Sequence, residues 1–381
     1  MIKKIALVTV AALLLTACQM NQDQAKNQPD KQHPGTKTES PAYKEIDAAK
    51  EVNAYHEIEE LLEKEQPQWP QVRQVYEGKL RSIVQGRSPE ADQLIDAYLN
   101  AGQSGQAKVK EVEEVVLKTL QRSAYEGIKT ILKEKIPAQM AHHDQATQLL
   151  EQAKALYEGV LKETAEKRDG NMGTITASEI DTAFAEAKKA LHAGDKLGYA
   201  LQKQAIDKTL IRVFYLSTLH DAEEVVTAIK EEPEEVKAEQ LEGFAFFQAI
   251  KKSLSEKAPE QVKQIEAQLA PNADPKKVDP QAIRQAFVKA FSAKAQGYMD
   301  KVLGESWNDR HEAAEDAFEG NLFIKAIELD LEKALGQAEK EKVMQAATQF
   351  FAAAKSGDKA QAERQAGLIR AALKKAETYH G

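Results

Sequence analysis

Cysteine is almost missing from this 381-residue chain, Cys18 being the only one. No intramolecular disulfide can form, so the fold must rest on buried apolar surface, which a chain of this length supplies without covalent staples. Aromatic residues make up only 6% of the sequence against 29% charged, a mixture that at helical periodicity points to an all-α protein. There are 19 glycines and no phosphate-cradling cluster among them, which argues against a nucleotide site. No G-x-S-x-G and no H-E-x-x-H occurs either, so no nucleophile–base or zinc-protease constellation can be assembled and the chain reads as a non-enzyme. Positive charge is in deficit, with a formal net charge of −8. An acidic body excludes a nucleic-acid partner and adhesion to anionic headgroups by charge alone. Past residue 18 no apolar run spans a bilayer, because Lys, Glu or Gln interrupts each one within a turn or two.

What is present begins at the N-terminus. Lys3 and Lys4 precede the uncharged run Ile5 to Leu15, long enough for a signal-peptide core and too short for a stable membrane span. The small pair Thr16-Ala17 leads directly into Cys18. Leu15-Thr16-Ala17-Cys18 resembles the lipobox of bacterial lipoproteins. The resemblance implies cleavage of residues 1–17 and diacylglycerol and palmitate chains on Cys18. Two or three such chains exceed the threshold for stable anchoring, at about 0.8 kcal/mol per buried methylene. Loss of Lys3 and Lys4 leaves the mature chain at a formal charge of −10.

Residues 18–42 hold almost no apolar side chain and carry Pro29, Pro34 and Pro41. Such a segment cannot bury enough surface to offset ordering entropy, so a disordered tether is expected, with His33 solvated. It would span roughly 25–30 Å on average. Residues 43–381 then read as amphipathic helices. Leu241, Phe244, Phe247, Ile250 and Leu254 form one apolar stripe, and residues 203–222 are apolar around most of a helical circumference. Helix starts are marked by Ser88-Pro89, Asp279-Pro280 and a capping-box pattern, Thr176-Ala-Ser-Glu179. Gly194-Asp195 and Gly357-Asp358 read as a stop followed by a start. Gly170-Asn-Met-Gly173 and Glu231-Glu-Pro-Glu-Glu235 read as interhelical loops. No strand alternation is visible, so the fold class is all-α.

The chain also echoes itself. Aromatics at Tyr76, Tyr157, Phe247 and Phe323, spaced 81, 90 and 76 residues apart, sit in similar segments. A Gly-containing turn follows three of them, at residues 99–105, 191–196 and 354–359. This suggests degenerate repeats of helical hairpins, near 43–130, 131–235, 236–303 and 304–381, forming a bundle or short solenoid.

Three histidines have a carboxylate one turn away on the same helix face: His56 with Glu59, His220 with Glu223, and His311 with Glu315. Helical bundles build metal sites from such pairs when several helices aim them at one interior. The segment Tyr55-His-Glu-Ile-Glu-Glu-Leu-Leu62 also resembles the H-x-x-E helix of imelysin-like proteins, extracytoplasmic helical proteins linked to iron uptake, although the glycine that family carries before its histidine is absent. That resemblance implies an iron or haem ligand set drawn from the six residues. The competing reading makes them surface or cap side chains, with no cofactor bound. His142, His143 and His380 read as solvent-facing. Phe244, Phe246, Phe247, Phe350 and Phe351 read as core, and Trp69 as a staple ahead of a helix.

Two functional classes follow. One is a membrane-anchored envelope lipoprotein that acts as a structural or interaction module on an envelope protein or wall component. The other is a metal- or haem-binding lipoprotein of iron handling. Gln19 after the cysteine and the lack of disulfides favour a Gram-positive cell surface. What separates the classes is whether His56, His220 and His311 converge.

Overall fold

The turns fall where the sequence punctuates its helices. Ser88 caps its helix by accepting the Ala91 N–H, Asp279 accepts those of Gln281 and Ala282, Asp195 that of Gly198, and Asp358 that of Gln361. Gly194 and Gly357 end the preceding helices with φ of +66° and +85°, a region only glycine enters without strain. The structure, a computed structural model, describes residues 47–379. The expected signal peptide, Cys18, the tether and His380 lie outside the described residues.

The first part comprises α1 (Ala48–Leu62), α2 (Trp69–Val75), α3 (Arg81–Arg87), α4 (Pro89–Gln103), α5 (Val109–Thr130), α6 (Ile136–Ala138) and α7 (His143–Leu156). It continues through α8 (Lys162–Met172), α9 (Thr176–Ala193) and the 36-residue α10 (Lys196–Glu231). The remainder is α11 (Val236–Ser255), α12 (Pro259–Leu269), α13 (Pro280–Leu303), α14 (Arg310–Ala326), α15 (Glu328–Leu335), α16 (Gln337–Ser356) and α17 (Lys359–Glu377). No strand occurs among the described residues. The fold is an all-α bundle.

Sequence neighbours joined by short turns pack on each other: α4 on α5, α9 on α10, α10 on α11, α13 on α14, α16 on α17. Longer-range contacts join α5 to α11, α10 to α14 and α14 to α16, which leaves α10 in the middle. Its apolar circumference explains that position, since Ile206, Leu210, Val213, Phe214, Tyr215, Leu216 and Leu219 are all buried. Phe246, Phe247 and Phe350 are core, and Phe244 and Phe351 pack half-buried against it.

Two local expectations are corrected. Thr176 is not an N-cap. Ile175 holds that position without a side-chain bond, and Thr176 is buried in the first turn of α9. The cap comes from α8: Asp169 accepts the N–H of Thr176 at 2.7 Å and of Ala177 at 2.9 Å. A carboxylate seven residues upstream does the work the Thr–Glu pattern was expected to do. Gly170–Met172 is likewise the last turn of α8, and only Gly173, at φ +67°, leaves the helix.

Tyr76 and Tyr157 share an environment their sequence only hints at. Each begins a Tyr-Glu-Gly-x-Leu run that forms a five-residue π-turn, Tyr76–Leu80 and Tyr157–Leu161, between two α-helical stretches, and each ring is fully buried. Phe247 and Phe323 are buried too, but within regular α-helix.

Candidate functional site

The three histidine–carboxylate pairs stand apart. His56 Nδ1 lies 2.9 Å from Glu59 Oε2 on an exposed face of α1. His220 Nε2 lies 3.4 Å from the Asn171 amide and 4.0 Å from Glu224, while Glu223 pairs with Arg284 at 2.7 Å. Burial and the nearby Arg168 guanidinium push the His220 imidazole down to about 4, so it is neutral at physiological pH. His311 is exposed in the first turn of α14, and Glu315 turns instead to Lys203 and Gln204, both at 2.8 Å. None of the six belongs to a group of three or more ligand-type side chains among the described residues. A pair one turn apart on one helix offers two ligands at most, and the faces carrying His56 and His311 look outward.

What the fold does bring together is acidic. Asp221 on α10 and Glu239 and Glu242 on α11 each place an oxygen within 4.8 Å of the others. The Glu232–Glu235 turn folds α11 back on α10, and Gly243 lets the two helices close. A Cβ at Gly243 would meet the Asp221 Cβ at 3.2 Å and the Thr218 carbonyl oxygen at 3.7 Å. Asp221 is 1% exposed and Glu242 8%, while Glu239 reaches toward solvent.

The charges around this cluster do not balance. Lys118 on α5 lies 3.2 Å from Glu242 but is shared with Glu114, also at 3.2 Å, and Lys110 holds Glu114 at 2.6 Å. Against the cost of burial, Glu242 and Glu114 keep the Lys118 ammonium above its ordinary range. Asp221 has no such partner, and its Oδ2 is buried without a hydrogen bond. Burial first, then Glu242 beside it, push its carboxyl well above the usual range, with Arg168 and Lys118 opposing. Burial, followed by the like charges of Glu242, Glu114 and Glu224, pushes Glu239 up to about 7. Arg168 on α8 is 2% exposed, and its Nε and Nη1 lack hydrogen-bond partners.

A second buried network shows what balance looks like. Asp207 on α10 takes Lys133 and Lys208, each at 2.7 Å, and accepts the Tyr125 hydroxyl at 2.7 Å. Lys208 continues to Glu319 at 2.7 Å, which also accepts the Tyr298 hydroxyl. Although buried, Asp207 is held far below its usual range by Lys208 and Lys133. Every acid there has a donor. The Asp221 cluster instead carries an excess of acid that a proton or a cation would satisfy.

The sequence does not single out these three residues. Asp221 follows His220 directly, where the imidazole is the more conspicuous ligand type. Glu239 and Glu242 flank Leu241 of the apolar stripe on α11. The available signal was a Glu at i and i+3 beside a glycine inside a helix.

Residues 118–229 match the family model of the iron permease FTR1 N-terminal domain. The match spans less than a third of the chain and takes in Lys118, Arg168 and Asp221; Glu239 and Glu242 lie beyond it. No curated protein and no solved structure matches the chain. Among the described residues no helix is long and apolar enough to cross a membrane.

Proposed function

We propose that this chain is an extracytoplasmic, lipid-anchored protein of iron handling that acts by binding and not by catalysis. The observation that carries the reading is the match of residues 118–229 to the N-terminal domain of an iron permease. Two features support it. The Leu15-Thr16-Ala17-Cys18 run supplies an anchor for a body with no membrane-crossing helix among its described residues, and α10 and α11 hold an acidic cluster of the oxygen-donor kind that hard cations prefer. A helical body anchored through Cys18 stays within reach of an envelope partner such as a permease. The histidine pairs take no part in this reading, and no haem is invoked.

Iron accumulation at limiting supply tests it. In the native bacterium, deletion of the chain is expected to lower radio-iron uptake. Wild type should restore uptake, while Cys18→Ala, released from the membrane fraction or left as precursor, should not. Unchanged uptake in the deletion strain at limiting iron would sink the proposal.

A further inference from the structure

We propose that Asp221, Glu239 and Glu242 form a binding site for one oxygen-preferring di- or trivalent metal cation, seated between α10 and α11. The inference deepens the reading of a binding protein in iron handling, and rests on it only for the choice of iron among the cations tried.

Geometry is the first support. Three oxygens no more than 4.8 Å apart surround a point about 2.8 Å or less from each, within a few tenths of an ångström of the 2.0–2.6 Å lengths of metal–oxygen bonds. The ligands come from two helices whose close approach at Gly243 fixes their spacing.

The unpartnered Asp221 oxygen is the second. It is fully buried, it belongs to a carboxylate of the convergent group, and no side-chain or backbone donor reaches it. A buried carboxylate oxygen without a donor is uncommon, because leaving it unsatisfied costs about 1–3 kcal/mol. A cation coordinated by all three acids supplies the partner that Asp221 lacks and offsets the charge of the other two.

The surroundings fit the same occupant. Lys118 is divided between Glu242 and Glu114 and so neutralises the cluster only in part. Arg168 acts on Asp221 through its charge without bonding to it. Glu224 adds further negative charge near Glu239, and Glu239 is itself only partly buried. His220, although adjacent to Asp221 in sequence, is outside the group, so the donor set is all oxygen. Such a set suits iron, manganese, magnesium or calcium over metals that seek thiolate or imidazole.

The test is a titration of purified, chelator-stripped full-length protein with Mn2+, read by the electron paramagnetic resonance of the free ion. Fe2+ under anaerobic conditions and Zn2+ serve as competitors. The expected result is one Mn2+ per chain, displaced by Fe2+ and by Zn2+, both of which stand above Mn2+ in affinity for a shared site. Glu239→Gln, at the solvent side, should weaken binding by at least about tenfold and Asp221→Asn by more. His56→Ala should leave it unchanged, and circular dichroism should show equal helix content in all four proteins. Absence of saturable binding up to about 1 mM of either Mn2+ or Fe2+ overturns the site. So does wild-type affinity in both Glu239→Gln and Asp221→Asn. Cellular iron uptake that requires the chain yet survives both substitutions would reject this site while leaving the iron-handling reading in place.

Discussion

Replacing Glu239 by glutamine isolates the electrostatic strain of the acidic cluster. In the folded chain this carboxyl is raised from 4.5 to about 7. One pKa unit is about 1.4 kcal/mol, so the whole shift corresponds to about 3 kcal/mol. Glu239 is partly solvated, and screening reduces the measurable part to about 2 kcal/mol. A carboxyl raised on folding makes the native state the better proton binder between its two pKa values. Stability from this group is therefore full below about 4.5, declines as pH rises, and is gone above about 7. In the presence of chelator, urea unfolding of wild type should accordingly lose about 2 kcal/mol more than Glu239→Gln between pH 4.5 and pH 8. Carboxylates held low, such as Asp169 and Asp207, slope the other way, but both proteins share them and the difference cancels them. A saturating cation should restore wild-type stability at pH 8, since a ligand that binds only the native state stabilises it. Parallel pH profiles for wild type and Glu239→Gln would refute the claim that this acid is strained.

Three further substitutions probe the frame that holds the cluster. Arg87 reaches Glu51 through two bonds of 2.5 and 2.9 Å, with both side chains almost fully buried; Arg87→Met should cost about 3–5 kcal/mol in urea unfolding, because it strands the Glu51 charge. Gly102→Ala would put a methyl 2.5 Å from the Trp69 ring; a loss of about 1–3 kcal/mol with a shifted tryptophan emission is expected. Asp169→Ala removes the acceptor for the first two N–H groups of α9 and should cost about 1–2 kcal/mol at pH 7. Burial opposes ionisation of Asp169, but the donors of Thr174, Ala177 and Thr176 hold its carboxyl below the usual range, so the penalty should shrink as pH falls below about 4, measured by unfolding at pH 7 and pH 3.

Much of the frame was legible because it is written locally. Ser88, Asp195, Asp279 and Asp358 each cap the helix that follows, since an N-cap bond needs only the next three residues. The buried circumference of α10 follows from residues 203–222 alone. Thr176 misled because the better acceptor, Asp169, sits on the preceding helix. Its reach depends on how the Gly173 turn folds α8 against α9, and no sequence window shows that. The likeness of the segments at Tyr76 and Tyr157 is readable in the sequence, but the π-turn that each forms is not.

The acidic cluster lay beyond sequence reading for a related reason. His56–Glu59 and His311–Glu315 were conspicuous because spacing along one helix puts them on one face, yet spacing does not say which way that face looks. Asp221 and the pair Glu239 and Glu242 are separated by the end of α10, the acidic turn and the start of α11, so only the return of the chain makes them neighbours. Two local facts narrow the choice once the hairpin is drawn. Gly243 sits within a helix beside Glu242, where a Cβ would crowd the Asp221 Cβ at 3.2 Å, and Asp221 lies on the same α10 as the fully paired Asp207. Both acids are buried on that helix. Asp207 has two lysines and a tyrosine, and Asp221 has an oxygen with no donor. That contrast on one helix makes Asp221, and not the histidine before it, the residue on which a binding function should be tested.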